Sequence, residues 1–284
     1  MALFTNQATL TYNNTSVNSN IATGELLEVL SAAKNAVIDT YTPGDTTAYV
    51  ISILNSGTAP FTGLTVTDDL GAYTLGTETV YPLTYVTGSI RYYVNGVLQP
   101  TPTVTAEAPL TVTGISVPAD SNAMLIYEAE ANTFAPPQTG GTVTNTAAVT
   151  GGGLAAPVAA SETVTASPEA RLSITKTISP STVTENDRVT YTFTIQNFGG
   201  TAVVATDNAA VTDTFDPILT DLAVTFNGSV WTEGTEYTYD EATGLFATVP
   251  GQILVPAATF TQDPATGIWN TGPGIATLVI TGTI

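Results

Sequence analysis

The chain repeats itself, and this internal repeat constrains its fold more than any other feature. The two lysines of the 284-residue sequence, Lys34 and Lys176, define an offset that four further identical pairs share. Those pairs are Asp45 with Asp187, Tyr49 with Tyr191, Asn55 with Asn197, and Gly57 with Gly199. Later segments match in the same order, and the offset drifts only where loops change length. An ordered series of this kind predicts two copies of one domain.

Strict alternation of apolar and polar residues marks short strands in both copies. The segment from Val189 to Ile195 alternates at every position, and a period of two predicts a half-buried strand. Short strands separated by Gly, Pro and Asn turns are typical of a sandwich. No segment has a sustained helical period. The sequence therefore predicts an all-β protein built from two tandem β-sandwich domains.

The two copies differ at their ends. Residues 142–150 close the first copy with a strand, and residues 3–11 repeat that pattern at the N-terminus. The second copy ends in a segment that matches residues 124–131, which precede the closing strand of the first copy. We therefore expect the second sandwich to lack its last strand. The predicted divisions are a donor strand with its connector (1–22), domain 1 (23–150), a linker (151–170) and domain 2 (171–284).

A spare strand at one end and a vacancy at the other predict head-to-tail homopolymers in which the N-terminal strand of one subunit completes the second domain of another. Main-chain hydrogen bonds would supply affinity and alternate side chains would set the register. Such a contact is heterologous, so it propagates into a fibre. The expected donor side chains are Phe4, Asn6, Ala8, Leu10 and Tyr12. The expected acceptor-side strand carries Leu278, Ile280 and Ile284.

Composition narrows the function. A formal net charge of −19, from 24 acids and 5 bases, argues against partners such as nucleic acid or anionic membrane surfaces. The absence of His and Cys excludes Ser–His and Cys–His catalysis and thiolate or imidazole metal sites. No apolar run is long enough to span a bilayer, and no signal-peptide pattern is visible. We expect a structural subunit rather than an enzyme, with no cofactor and no metal; its surface anchor is not identifiable.

One set of polar residues in each copy has the side chains needed to form an isopeptide bond. Alternation places a lysine, an aspartate and an asparagine on the apolar faces of their strands. Buried lysine loses its charge more readily and buried aspartate holds its proton, which favours attack of the amine on the asparagine carboxamide with loss of ammonia. The candidate residues are Lys34, Asp68 and Asn145 within the chain, and Lys176, Asp213 and Asn6 between chains. The alternative is a buried ion pair with an asparagine hydrogen bond. Gram-positive pilin and adhesin domains form such Lys–Asn isopeptide bonds, and this chain resembles them in residue types and strand positions.

Four segments also resemble the conserved-repeat family called domain of unknown function eleven. They are Leu172–Lys176, Tyr191–Asn197, Val211–Asp213 and Thr144–Ala147. The resemblance covers both copies and implies Ig-like sandwiches in tandem on bacterial surface proteins. Similar two-repeat proteins are associated with clostridial spore appendages, which implies an extracellular filament on the cell or spore surface. Three alternatives stay open: a closed, permuted monomer, a fragment of a longer surface array, or a carbohydrate- or host-binding adhesin module that uses Trp231 or Trp269.

Overall fold

The structure is a computed structural model, and it describes residues 2–26 and 28–284. The regular structure in this part of the chain is β-strand, apart from a 3-10 turn at Ala205–Asp207. No helix within it is long and apolar enough to cross a membrane. Two separate hydrophobic cores form, one in each copy of the repeat. The prediction of an all-β protein with two tandem sandwiches is confirmed.

Residues 2–26 form a β-hairpin, which we call the N-terminal hairpin. Its strands are β1 (Ala2–Asn6), β2 (Thr9–Tyr12), β3 (Thr15–Asn18) and β4 (Ala22–Leu26). Strand β1 pairs with β4 and β2 pairs with β3, both antiparallel. Asn13 and Asn14 at the tip have φ of 46° and 57°, as a type I′ turn requires. The expected donor strand is therefore one arm of a hairpin that is already paired with its own return arm.

The first sandwich contains two sheets that enclose the first core. Its strands are β5 (Leu30–Ala36), β6 (Thr40–Tyr41), β7 (Thr46–Asn55), β8 (Phe61–Asp68), β9 (Tyr73–Leu75), β10 (Glu78–Val80), β11 (Leu83–Tyr85), β12 (Arg91–Val94), β13 (Val97–Leu98), β14 (Thr103–Glu107), β15 (Leu110–Val117), β16 (Ser121–Ala131), β17 (Thr142–Gly151) and β18 (Val158–Ala166). One sheet has the order β13-β12-β16-β7-β5 and the other β14-β15-β8-β17-β18-β6. The series β5-β7-β16-β12 and β8-β17-β18 correspond to the A-B-E-D and C-F-G strands of an immunoglobulin-like domain.

The division expected at residue 150 is placed too early. Strand β18 pairs with β17 from Val149↔Val158 to Thr142↔Thr165, and it buries Val164 and Ala166 in the first core. Gly151, Gly152 and Gly153, at positive φ, form the turn between these two strands. The first sandwich therefore extends to Ala166, and the segment 151–170 is mostly sheet rather than linker.

The second sandwich has one complete sheet and one short sheet. Its strands are β19 (Leu172–Ser179), β20 (Arg188–Asn197), β21 (Thr212–Thr214), β22 (Thr220–Phe226), β23 (Ser229–Trp231), β24 (Tyr237–Asp240), β25 (Leu245–Thr248), β26 (Thr259–Gln262), β27 (Trp269–Gly272) and β28 (Gly274–Thr283). The complete sheet has the order β19-β20-β28-β22-β23, and the short sheet has the order β21-β25-β24. Strand for strand, these correspond to A-B-E-D and to the C side of the first sandwich.

The second sandwich departs from the first by two strands. In the described part of the chain, nothing pairs with β21 in the way that β17 and β18 extend the sheet from β8. The prediction that the strand with Leu278, Ile280 and Ile284 would be the acceptor edge is wrong. Strand β28 is central and pairs with both β20 and β22, and Leu278 and Ile280 are fully buried in the second core. Because the main chain of β28 is paired on both sides up to Thr283, the open edge is β21.

The extra hairpin β26–β27 joins the two sandwiches. It follows Val255-Pro256-Ala257, where the first copy has only a tight turn. The Trp269 backbone N–H donates to the Thr133 carbonyl at 2.9 Å, and Gln262 Nε2 donates to the Tyr73 hydroxyl at 2.8 Å. Within the chain, this hairpin braces the second sandwich against the first.

Candidate isopeptide sites and an open sheet edge

The first sandwich brings the three predicted residues of its site together in the core. Lys34 Nζ on β5 donates to Asp68 Oδ2 on β8 at 2.6 Å, and these side chains are 0% and 1% exposed. Asn145 on β17 is also completely buried. Alternation set these faces, because each residue shares its strand face with core residues on either side. The site is held by strands A, C and F of the sandwich.

Tyr127 is a fourth member of this site that the sequence analysis missed. Its hydroxyl donates to Asp68 Oδ2 at 2.7 Å and accepts from Asn145 Nδ2 at 3.0 Å. The Asn145 carbonyl oxygen has no hydrogen-bond partner within the described residues. An unpaired buried carbonyl is costly. The one available signal was a break in the repeat, because the counterpart of Tyr127 beside Tyr191 is Ile280.

Burial controls the protonation of the first site. It lowers the pKa of the Lys34 ammonium from its ordinary value of 10.5, and this effect outweighs the opposing attraction of Asp68. Burial also raises the pKa of the Tyr127 hydroxyl well above 10.0, and the nearby Asp68 charge adds to the rise. The Lys34 Nζ lies 5.1 Å from the centre of the Tyr49 ring. The Asp68 charge and the ring face both favour the ammonium form, so it is burial that makes a neutral, nucleophilic amine easier to reach than on a solvated lysine.

The second sandwich brings together only two of its three predicted residues. Lys176 Nζ forms an ion pair with Asp213 Oδ2 and lies 4.5 Å from the centre of the Tyr191 ring. This pair is open to water, since its side chains are 39% and 19% exposed. Asn6, the predicted third residue, lies in the exposed N-terminal hairpin opposite Ala22. The structure therefore leaves the second site without an asparagine from the described chain.

An apolar groove runs beside the open pair. Leu172 and Ile174 on β19 are 48% and 52% exposed, whereas Leu30, the counterpart of Leu172, is 6% exposed. The two β19 residues and Val211 line a groove of about 170 Å³. The difference has a simple cause: β17 and β18 cover the first sandwich at this place, and no described strand does so in the second.

Neither tryptophan forms an open stacking platform. Trp231 stacks on Phe226 with ring centres 4.9 Å apart, which fixes it against the second core. Trp269 lies in the bracing hairpin, and its indole nitrogen is buried. A glycan-binding role of these rings has no support from their positions.

No protein-family model and no curated protein matches the chain. Among solved structures, it is similar to the major pilin subunit BcpA of Bacillus cereus, with 14% identity and a TM-score of 0.37 over 96% of this chain and 73% of that one. It is also similar to the pilus backbone protein RrgB of Streptococcus pneumoniae, with 10% identity and a TM-score of 0.32 over 86% of this chain and 55% of that one. A third similar structure is the collagen-binding domain of a Staphylococcus aureus adhesin, with 11% identity and a TM-score of 0.32 over 50% of this chain and 99% of that domain. At these identities and scores, none of the three assigns a function to the chain.

Proposed function

We propose that this protein is a structural subunit that polymerises head to tail, with the N-terminal segment of one copy completing the second sandwich of the next. One observation carries the proposal: the second sandwich has an open β21 edge and an uncovered β19 face, while a matching segment is exposed at the N-terminus. The contact is heterologous and therefore propagates into a fibre. In keeping with the family resemblance, we place this fibre outside the cell, on the cell or spore surface.

The first sandwich supplies the expected register of the junction. There, β17 pairs with β8 so that Ala147 lies opposite Asp68 and Val149 opposite Val66. The repeat aligns Asn6 with Asn145, so Ala8 would lie opposite Asp213 and Leu10 opposite Val211. In this register, Asn6 would lie beside the Lys176–Asp213 pair as Asn145 lies beside the Lys34–Asp68 pair, to which it is linked through the Tyr127 hydroxyl. The donor side chains then fill the groove that the second sandwich leaves open.

We further propose that both sites form isopeptide bonds. The lysine nitrogen attacks the asparagine Cγ, a new C–N bond forms, and the carboxamide C–N bond breaks. The aspartate first accepts a proton from the lysine ammonium, which frees the amine for attack. It then gives that proton to the departing nitrogen and accepts the second proton of the attacking nitrogen, so ammonia leaves and the aspartate ends as the neutral acid. The bond between Lys34 and Asn145 would be internal, and the bond between Lys176 and Asn6 would join two subunits. In the first site, the bond replaces a buried ion pair by a neutral amide beside a neutral acid.

Negative-stain microscopy and light scattering of the full chain test the polymer. Fibres are expected from the intact chain and not from a chain without residues 1–26. Fibres from the truncated chain would refute the proposal, and a monodisperse monomer of the intact chain would favour the closed, permuted alternative.

Variants at the two lysines test the bonds separately. In boiling detergent, polymers of a Lys176→Ala variant should separate into monomers, whereas those of Lys34→Ala should stay joined. The intact mass should fall by one ammonia in the monomer and by a second after assembly. An unchanged mass in mature fibres would rule out the bonds and leave the polymer itself standing.

A further inference from the structure

We infer that the donor is the whole N-terminal hairpin, which enters the neighbouring second sandwich as two strands. In this arrangement β1–β2 take the position of β17 and β3–β4 take the position of β18. The inference rests on the proposed head-to-tail assembly and specifies its partner surface: a preformed hairpin of a second copy of this chain. Five observations on the hairpin and its target support it.

The hairpin is amphipathic across both of its arms. Leu10 on β2 lies opposite Val17 on β3, and these apolar side chains are 70% and 64% exposed. The alternate positions of the same strands carry hydroxyl and amide side chains. If only the first arm were inserted, Val17 would stay exposed, whereas two inserted strands bury both members of the pair.

The polar face of the hairpin repeats that of β17–β18. On the N-terminal hairpin, Thr11 Oγ1 and Ser16 Oγ lie 3.0 Å apart, and Thr9 Oγ1 donates to Asn18 Oδ1 at 2.8 Å. The outer face of β17–β18 carries cross-strand pairs of the same kind, Thr144–Thr163 and Thr146–Ser161, each at 2.9 Å. The same solvent-facing ladder predicts the same orientation on a sandwich, with Leu10 and Val17 turned inwards.

The target needs two strands to be covered. In the first sandwich, β18 packs across the core from β5 and buries Val164 and Ala166 there. It also places Glu162 opposite Asn145, where its charge acts on Lys34. A single donor strand beside β21 would occupy the β17 position alone and leave the β19 face open to water.

The two hairpins stand in the same place along the chain. Strand β18 leads through a short connector into β19, and β4 leads in the same way into β5. Each hairpin therefore directly precedes the lysine-bearing strand of the following sandwich. The β17–β18 hairpin completes the sandwich that precedes it. By analogy, the N-terminal hairpin would complete the sandwich that precedes the first sandwich in the proposed polymer. That sandwich is the second sandwich of another copy.

The hairpin also has the means to persist as a unit before docking. Its tip is an Asn-Asn turn with both residues at positive φ, which matches the twist of a two-residue hairpin. Phe4 packs over Gly24 on the opposite arm, where a Cβ would lie 2.3 Å from the ring. Docking as a hairpin keeps these contacts, whereas docking as one strand would break every pair between the arms.

Three single variants of the full chain distinguish the two modes, with polymer measured by sedimentation and microscopy. Leu10→Asp places a charge on the first arm and should block assembly in either mode. Val17→Asp places it on the apolar face of the return arm and should raise the concentration needed for assembly at least about tenfold. Ser16→Asp, on the polar face of the same arm, should assemble as the unaltered chain does. All three side chains are exposed in the free subunit, so none of the three substitutions should prevent the two sandwiches from folding.

Hydrogen exchange on fibres provides the second readout. The inference expects both arms, residues 2–12 and 15–26, to gain protection relative to the monomer. Normal assembly of Val17→Asp, or protection limited to residues 2–12, would overturn the hairpin and retain single-strand assembly. Normal assembly of Leu10→Asp would overturn the proposed function together with this inference.

Discussion

Removing Lys34 should destabilise the first sandwich far more than removing Lys176 destabilises the second. The comparison is made in an Asn145→Ala background, which cannot form the internal bond. There, Lys34→Met leaves Asp68 without its ion-pair partner in a site where both side chains are 0–1% exposed. Loss of one partner of a buried pair costs about 3–5 kcal/mol. The Lys176–Asp213 pair is 39% and 19% exposed, so Lys176→Met in the monomer should cost about 0–1 kcal/mol. For sandwiches of this size, the larger loss corresponds to a fall in Tm of about 10–20 °C.

Scanning calorimetry of dilute monomer measures both effects, because each sandwich has its own core and should unfold separately. Both tryptophans lie in the second copy, so their fluorescence assigns the transition of the second sandwich. Adding Asp68→Asn to Lys34→Met removes the unpaired carboxyl group and should recover about 1–3 kcal/mol. Neither variant can form the internal bond, so the recovery reports the loss of the ion-pair partner and not the loss of the bond. Equal losses for Lys34→Met and Lys176→Met would refute the reasoning.

Three further outcomes are expected. The first outcome concerns an Asn145→Ala chain, which cannot form the internal bond. Its first sandwich should become more stable as pH rises towards about 10, because the unfolded state holds the Lys34 proton more tightly than the folded state. Urea titrations at several pH values measure this, and a stability that stayed flat or fell would contradict it. Above about pH 10, the stability of the same sandwich should fall. Burial raises the pKa values of Tyr49 and Tyr127, so these tyrosines ionise at that pH only in the unfolded chain. Continued stabilisation above about pH 10 in the same titrations would count against this. Gly199→Ala should cost about 1–3 kcal/mol, because its Cβ would lie 2.1 Å from the Glu169 carbonyl oxygen. The matched Gly57→Ala should cost less, because its Cβ meets only side-chain atoms, those of Val29 and Asn55. Equal thermal shifts of the two variants would contradict this reasoning.

The strands could be predicted from local sequence patterns, but the end of the first sandwich could not. Alternation and the repeat identified strands such as β7 and β20, because a period of two is a property of neighbouring residues. Strand β18 was read as linker because Gly151-Gly152-Gly153, which precede it, were taken for an interdomain hinge. Its place in the first sheet is fixed by pairing with β17, which no short window of sequence contains.

The sequence predicted which strand face carries each residue of the site, but not which strands and side chains lie beside it. The alternation that put Lys34, Asp68 and Asn145 inside the first core identifies a strand face. The same signal does not say which strand lies alongside, so β28 was taken for the acceptor when it is central in its sheet. Tyr127 was missed because it alternates like any core residue, and its hydroxyl acquires a role only through contact with Asp68 and Asn145.

The proposed assembly would explain why the two sites differ. In it, each sandwich is completed by a hairpin that precedes the next sandwich in sequence, and only the first sandwich has that hairpin within its own chain. In a polymer, the hairpin would then connect sandwiches in the same way within and between subunits. The brace would not repeat, because β26–β27 has no counterpart at the tight turn after Val117 in the first copy. Joints within a subunit keep the Trp269–Thr133 and Gln262–Tyr73 contacts, and joints between subunits lack them. Bending should therefore concentrate at every second joint of the fibre, and equal angular spread at all joints in particle images would contradict this.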